Sequence, residues 1–342
     1  MTFLQIDTAE RSVPAIGDWQ AQARAARIST ADLLAHLQLT PGDFAAGVIA
    51  DPDFPVLVPP HFLAQIRARD PADPLLAQVL ARGEEAWPQP GRLTDPLEEA
   101  DYRAAPGLLR KYRSRALLIA SGACAVHCRY CFRRHYDYGA AALPASGQAA
   151  ALAAIAADPA IDEVILSGGD PLSLSDARLA ALAAGIAGIA HVNTLRLHSR
   201  TLVVIPARVT DALVEMIAAS RLQTVIVLHS NHANELSDDV RGALLRLRAA
   251  GATLLNQSVL LAGVNDAAEV IAGHCRRLLA CGVLPYYMHL TDPVAGTAHF
   301  DVGTEMARDI EADLRRMLPG YLVPRFVREV PGELSKTPLW AL

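Results

Sequence analysis

The chain has 342 residues, 31 of them basic and 36 acidic, for a net charge of −5. An acidic balance leaves no bulk positive excess to displace counterions from a phosphate backbone, which excludes a general nucleic-acid binder. Apolar residues reach 52% and charged residues 20%, so the chain can bury a large core and is not a disordered polymer.

The length suits one large α/β domain with an appendage, or two domains. Residues 1–20 carry Asp7, Glu10, Arg11 and Asp18 and lack the apolar stretch of a signal peptide. The most apolar helical run, 179–190, is too short to span a bilayer, so a cytoplasmic protein with no membrane partner is expected. Two of the basic residues are lysines, Lys111 and Lys336, and the rest are arginines. Chemistry that needs a primary amine therefore has two candidates.

Residues 1–110 read as mainly helical and irregular, a segment that wraps a later core. Within it, Thr30-Ala-Asp-Leu-Leu-Ala-His-Leu is amphipathic and opens on possible caps at Ser29 and Thr30. Proline-rich stretches follow at 51–60 and 87–96. From residue 115 the texture changes. β-rich runs at 116–120, 163–166, 194–197, 224–228, 253–260 and 284–290 alternate with helical runs at 146–157, 176–188, 208–219, 236–250, 266–280 and 303–317. That alternation predicts a parallel sheet and an α/β fold, a partial (β/α)6 TIM-like barrel over 111–320. A further short strand within 323–330 helps close it, in a C-terminal piece, 321–342.

The polar residues fall where such a barrel places its active site, at the carboxyl ends of its strands. The first strand is followed by Cys124-Ala-Val-His-Cys128-Arg-Tyr-Cys131, and the second by Ser167-Gly-Gly-Asp170-Pro. His198-Ser-Arg200 follows the third and His229-Ser-Asn-His232 the fourth. Asn256-Gln257 lies within the fifth, and Asp292 follows the sixth. Five cysteines, an odd number, argue against a disulfide framework. Two of them, Cys275 and Cys281, flank a helical segment and read as buried and inert. The other three suit a [4Fe–4S] cluster held by three thiolates, with one iron left open for a small molecule. A zinc clip with His127 as fourth ligand is the alternative.

With an aromatic residue, Tyr130, before the third cysteine, this loop resembles the signature of radical S-adenosylmethionine enzymes. The turn at Gly168, Gly169 and Asp170 resembles the motif that receives the methionine amino group in that superfamily. The closer resemblance is to lysine 2,3-aminomutases. It runs through Tyr112-Arg-Ser-Arg-Ala-Leu-Leu, Cys128-Arg-Tyr-Cys-Phe-Arg-Arg134, Ser167-Gly-Gly-Asp-Pro-Leu172, Asn256-Gln-Ser-Val-Leu-Leu261 and Gly263-Val-Asn-Asp266. Pro331-Gly-Glu-Leu-Ser-Lys-Thr-Pro338 resembles the branch that serves β-lysylation of elongation factor P.

The resemblance implies an isomerase that converts L-α-lysine to (R)-β-lysine, upstream of a β-lysine ligase acting on elongation factor P. The implied cofactors are a [4Fe–4S] cluster, S-adenosylmethionine and pyridoxal 5′-phosphate, with a low-potential flavodoxin- or ferredoxin-type reductant as partner. Cys124, Cys128 and Cys131 would hold the cluster. Gly168 and Gly169 would let the backbone approach the ligand, and Asp170 would accept from its ammonium. Tyr130, His229 and Gln257 would line the cofactor pocket. Lys336 would form the Schiff base with pyridoxal phosphate, and Lys111 would sit near its phosphate. Arg133 would grip the substrate carboxylate, with Asp292 and Glu329 on the distal ammonium. The long mutases carry aspartate where Glu329 stands. The same chemistry on glutamate is disfavoured by that acidic pair. A non-catalytic metal-binding barrel is the reading of a different class.

Overall fold

The structure is a computed structural model that describes residues 18–138, 143 and 147–342. Ten strands form one sheet in chain order. β1 (Arg103–Ala105) and β2 (Leu108–Leu109) make a hairpin, and β2 runs antiparallel to β3 (Arg115–Ser121). The strands that follow are β4 (Glu163–Gly168), β5 (Thr194–Ser199), β6 (Gln223–His229), β7 (Thr253–Val259), β8 (Leu284–His289) and β9 (Arg325–Arg328). From β3 to β9 every pairing is parallel. β10 (Thr337–Pro338) returns antiparallel beside β9. β1 and β10 are the two edges, so the barrel is open.

The crossovers are the helices α1 (Gln148–Ala156), α2 (Asp176–Ala187), α3 (Asp211–Ala218), α4 (Asp238–Ala249), α5 (Ala268–Ala280) and α6 (Thr304–Met317). Their starts are written in the sequence. Ser175, Thr210 and Ser237 each accept a backbone N–H from three residues on, a cap contributing about 1 kcal/mol apiece. α6 buries Ala307, Ile310 and Leu314, one stripe at helical spacing.

The strand period of two then sorts the side chains. Along β5, Leu195 and Leu197 turn outward into the core shared with Ile155, Leu182, Leu213 and Leu244. Arg196 and His198 turn inward and line a cavity. The main core is thus the layer between strands and helices, and the barrel interior holds a cavity where polar side chains such as Arg196 and His198 stand among apolar ones such as Leu117 and Ile165.

The N-terminal segment differs from the expectation at its end. Residues 103–109 are not helical but form the β1–β2 hairpin, because a bare β3 edge would expose a row of unpaired backbone groups. Upstream, the described helices are short, the longest of them Thr30–His36 with seven residues and Ser29 as its cap. They gather Trp19, Leu33, Leu34, Val58, Phe62, Leu75, Leu76 and Leu80 into a second core, which also takes in Ala125 and Val126 of the cysteine loop. Among the described residues no helix is long and apolar enough to cross a membrane.

Strand β4 ends on Gly168 at φ +115°, where a Cβ would lie 2.4 Å from the Ser121 carbonyl oxygen. Both the backbone angle and the contact exclude a side chain. Gly168→Ala is expected to cost about 3 kcal/mol in chemical denaturation; a loss below about 1 kcal/mol would mean that the β3–β4 contact is not tight.

Candidate functional site

All fourteen residues singled out from the sequence line one cavity of about 560 Å³ at the carboxyl ends of the strands. The cysteine loop closes one side. Beside a turn closed by the Cys131 N–H on the Cys128 carbonyl, the loop is held from outside: the His127 N–H donates to the Leu57 carbonyl and the Arg129 N–H to the Gln78 carbonyl. The ring of His127 stacks on Phe54 and its Nδ1 lies 2.8 Å from the Pro55 carbonyl, so that nitrogen is already engaged. Burial pushes the Cys131 thiol up to about 12 and the Cys124 thiol well above its usual value. Such thiols ionise when a metal takes the proton's place.

Among the described residues no three His, Cys, Asp or Glu side chains converge on a single metal ion. Three free cysteines spread around one cavity fit a cluster, in which each thiolate takes a different iron, and do not fit a one-ion zinc clip.

The glycine turn works differently from the expectation. The Gly169 and Asp170 N–H groups donate to the Ser121 and Ala123 carbonyls, and a Cβ on Gly169 would meet the Ala123 oxygen at 2.5 Å. The close approach these glycines permit in the structure is to the cysteine loop. Asp170 is likewise committed. One oxygen accepts from the Leu172 N–H, and the other from the Ser199 hydroxyl and the Arg200 and Thr201 N–H groups at 2.8–3.0 Å. Its carboxylate ties the β4 turn to the end of β5, a positioning contact that the sequence did not announce.

Tyr130 is buried. Its hydroxyl lies 2.7 Å from His229 Nε2, accepts from Asn231 and Arg200, and reaches Gln78. Burial and the Arg200 charge push the His229 imidazole down to about 3, so it is neutral. Gln257, on β7, is the register partner of His229 on β6 and of Tyr287 on β8, and it lines the cavity.

The charged residues are already paired. Arg133 forks onto Glu99, with Nε at 2.7 Å and Nη2 at 2.5 Å from its two oxygens, and its Nη1 donates to the Gly168 carbonyl at 3.0 Å. At the far end, Glu329 receives Lys336 Nζ at 2.5 Å on one oxygen, and Lys111 Nζ at 2.6 Å and the Tyr112 hydroxyl at 2.7 Å on the other. Burial opposes that charge, and the two lysines and Tyr112 overcome it and hold the carboxyl down at about 2. Lys111, expected near a cofactor phosphate, and Glu329, expected on a substrate ammonium, are each other's partner in the structure. Asp292 is the contrast. Among the described residues its side chain has no hydrogen-bond partner, and burial, with Glu329 and Glu99 adding to it and Lys336 opposing, pushes its carboxyl up to about 7.

Sequence reading missed Glu99, Tyr112, Gln78 and Glu235. Glu99 and Gln78 come from the irregular N-terminal segment, where no spacing marks them. Arg200 stands in a motif visible after the third strand, but its contacts are formed only in the fold.

Asp170→Asn places an amide where a carboxylate accepts four donors. A loss of about 2 kcal/mol in chemical denaturation is expected, together with weakened iron retention. Unchanged stability and iron content would remove its positioning role.

A family model described as a 4Fe-4S single cluster domain matches residues 113–203. The chain is 46% identical to the L-lysine 2,3-aminomutase of Escherichia coli over 96% of each chain. It is 45% identical to that of Haemophilus influenzae over 89% of this chain and 90% of the other. A solved radical SAM methyltransferase from Sphaerobacter thermophilus overlaps 64% of this chain and 68% of its own, with a TM-score of 0.46 and 16% identity. The extent and level of identity to the two mutases settle the family: the chain belongs to the L-lysine 2,3-aminomutase isomerases.

Proposed function

We propose that this chain converts L-α-lysine to (R)-β-lysine, using a [4Fe–4S] cluster on Cys124, Cys128 and Cys131, S-adenosylmethionine, and pyridoxal phosphate on Lys336. The observation that supports it is the pair of charges already standing in the cavity. A guanidinium at one end, Arg133, carries a carboxylate, that of Glu99, and a carboxylate at the other end, Glu329, carries the ammonium of a lysine, Lys336. These are the kinds of group that a lysine carries as its α-carboxylate and its side-chain ammonium, each on a partner of the kind the substrate needs. A glutamate substrate would bring a second anion to the end where Asp292 and Glu329 sit.

Bound cofactors supply the radical and the electron sink that an amino-group shift requires. The chain's own residues do the rest. Arg133 binds the α-carboxylate as a fork, after Glu99 yields it. When Lys336 Nζ leaves Glu329, the freed oxygen and Asp292 bind the distal ammonium. Lys111 and Tyr112 keep Glu329 ionised while this happens. His229, neutral and bonded to Tyr130, gives the pocket a polar wall with no charge. Both lysines already end in the cavity, and Arg115 stacks on Tyr112 beside them. That cationic rim suits a phosphate-bearing cofactor.

The finer destination of the product rests on the resemblance of residues 331–338 to the elongation factor P branch. In that reading β-lysine passes to a ligase that modifies elongation factor P, with electrons arriving from a flavodoxin- or ferredoxin-type protein.

Anaerobic turnover of cluster-reconstituted protein with S-adenosylmethionine, pyridoxal phosphate and dithionite should give a β-amino acid by mass spectrometry from lysine and none from glutamate. Product from glutamate would sink the acidic-end argument. Lys336→Ala should lose the bound-pyridoxal absorbance and keep its iron and sulfide; a surviving band would move the assignment to Lys111. Only ionised Asp292 attracts an ammonium, and its carboxyl takes up a proton as pH falls through about 7. The KM for lysine should therefore rise about tenfold from pH 8 to pH 6, and Asp292→Asn should flatten that profile. A flat profile in the unaltered protein would exclude Asp292 from substrate binding.

A further inference from the structure

Arg200 is the first residue after β5 and is 6% exposed. Its guanidinium sits where three separate parts of the site meet. Nη1 lies 2.7 Å from the Cys128 sulfur and donates to the Tyr130 hydroxyl. Nη2 donates to Gln78 Oε1 at 2.8 Å and to Glu235 Oε2 at 3.1 Å. The backbone N–H of the same residue bonds Asp170 at 2.8 Å. The group is sandwiched near Phe62 and Tyr130, with ring centroids 5.5 and 5.6 Å away. Its Nε is buried with no partner among the described residues.

This guanidinium is not free to turn away. Glu235 is fixed on its other oxygen by the Asn231 and His232 N–H groups and by the Gln78 amide. Gln78 in turn holds Asn231. A simple counter-ion for Glu235 would need one of these contacts. The geometry carries a second, separate one, a charged N–H donor on the sulfur of a cluster-loop cysteine.

We infer that Arg200 donates a hydrogen bond to the Cys128 thiolate of the loaded protein and thereby raises the reduction potential of the cluster. The inference rests on the cluster reading above. One-electron reduction takes the cluster from the 2+ to the 1+ core and adds a negative charge to the thiolate-bound unit, with dithionite or a low-potential electron carrier as donor. A fixed positive charge and an N–H donor on a ligand sulfur stabilise the more negative form, and hydrogen bonds to the sulfurs are a main control of such potentials. Arg200 is a positioning residue here, acting on the electron supply through Cys128, and the Asp170 bond fixes its place relative to the glycine turn.

The test compares anaerobically reconstituted holoproteins by iron and sulfide content and by redox titration read by electron paramagnetic resonance. Arg200→Met with Glu235→Gln removes both charges together, so neither is left buried and alone. This double variant should keep its iron and sulfide. At a fixed potential its oxidised-to-reduced ratio should rise tenfold, a midpoint about 59 mV more negative. Glu235→Gln alone, which keeps the guanidinium and removes the negative charge, should move the midpoint the other way. An unchanged midpoint in the loaded double variant overturns the inference. So does a downward shift of the same size in Glu235→Gln, which would trace the effect to the network and not to Arg200. Should the double variant hold no iron, Arg200→Gln with Glu235→Gln, which keeps neutral partners for Gln78 and Tyr130, decides by the same criterion. Unaltered protein that takes up no iron and sulfide would instead sink the cluster reading itself.

Discussion

A loop that must present three sulfurs to one cavity cannot also form a helix or a strand, so its backbone groups need partners from elsewhere. Everything around the site follows from meeting that need. The N-terminal segment contributes carbonyls from Leu57 and Gln78 to the loop's N–H groups. It also packs its own core against Ala125 and Val126. On the opposite side, the Ser121 and Ala123 carbonyls at the start of the loop are taken by the Gly169 and Asp170 N–H groups. The loop is thereby held between the wrapping segment and the β4 turn, and the two glycines are required because backbone meets backbone there.

The second constraint is charge. The cavity gathers several ionised groups in a poorly hydrated space, and each buried charge needs a partner. The partners are internal to the chain. Arg133 has Glu99, Glu329 has both lysines, and Arg200 has Glu235. Asp292, without a hydrogen-bond partner among the described residues, is pushed by burial toward its neutral form. A substrate with a carboxylate at one end and an ammonium at the other can enter such a site by exchanging with internal ions of the same kind. That favours an amino acid with a carboxylate at one end and an ammonium at the other.

Several residues were legible from the sequence as belonging to the site but not in what they do. The cysteine spacing, the glycine turn and the lone pair of lysines stand out by local pattern, and all of them line the cavity. Asp170 reads as a ligand in its motif, yet its oxygens are filled by the end of β5. Glu329 and Lys111 read as independent binding groups, yet they bind each other across more than two hundred residues of chain. Local pattern reports which atoms a turn presents. It does not report which distant atoms the fold brings against them.

The sequence by itself determined the alternation of strand and helix, the caps at Ser175, Thr210 and Ser237, and the placing of polar residues at strand ends. Each depends on neighbours within a few positions, and side-chain period and capping chemistry act over that range. The tertiary structure alone decided the β1–β2 hairpin that covers the β3 edge, the filling of the Arg133 fork by Glu99, and the contact between Arg200 and Cys128. Those outcomes depend on satisfying edges, charges and buried donors with partners remote in sequence, and only closure of the barrel brings such partners within hydrogen-bond reach.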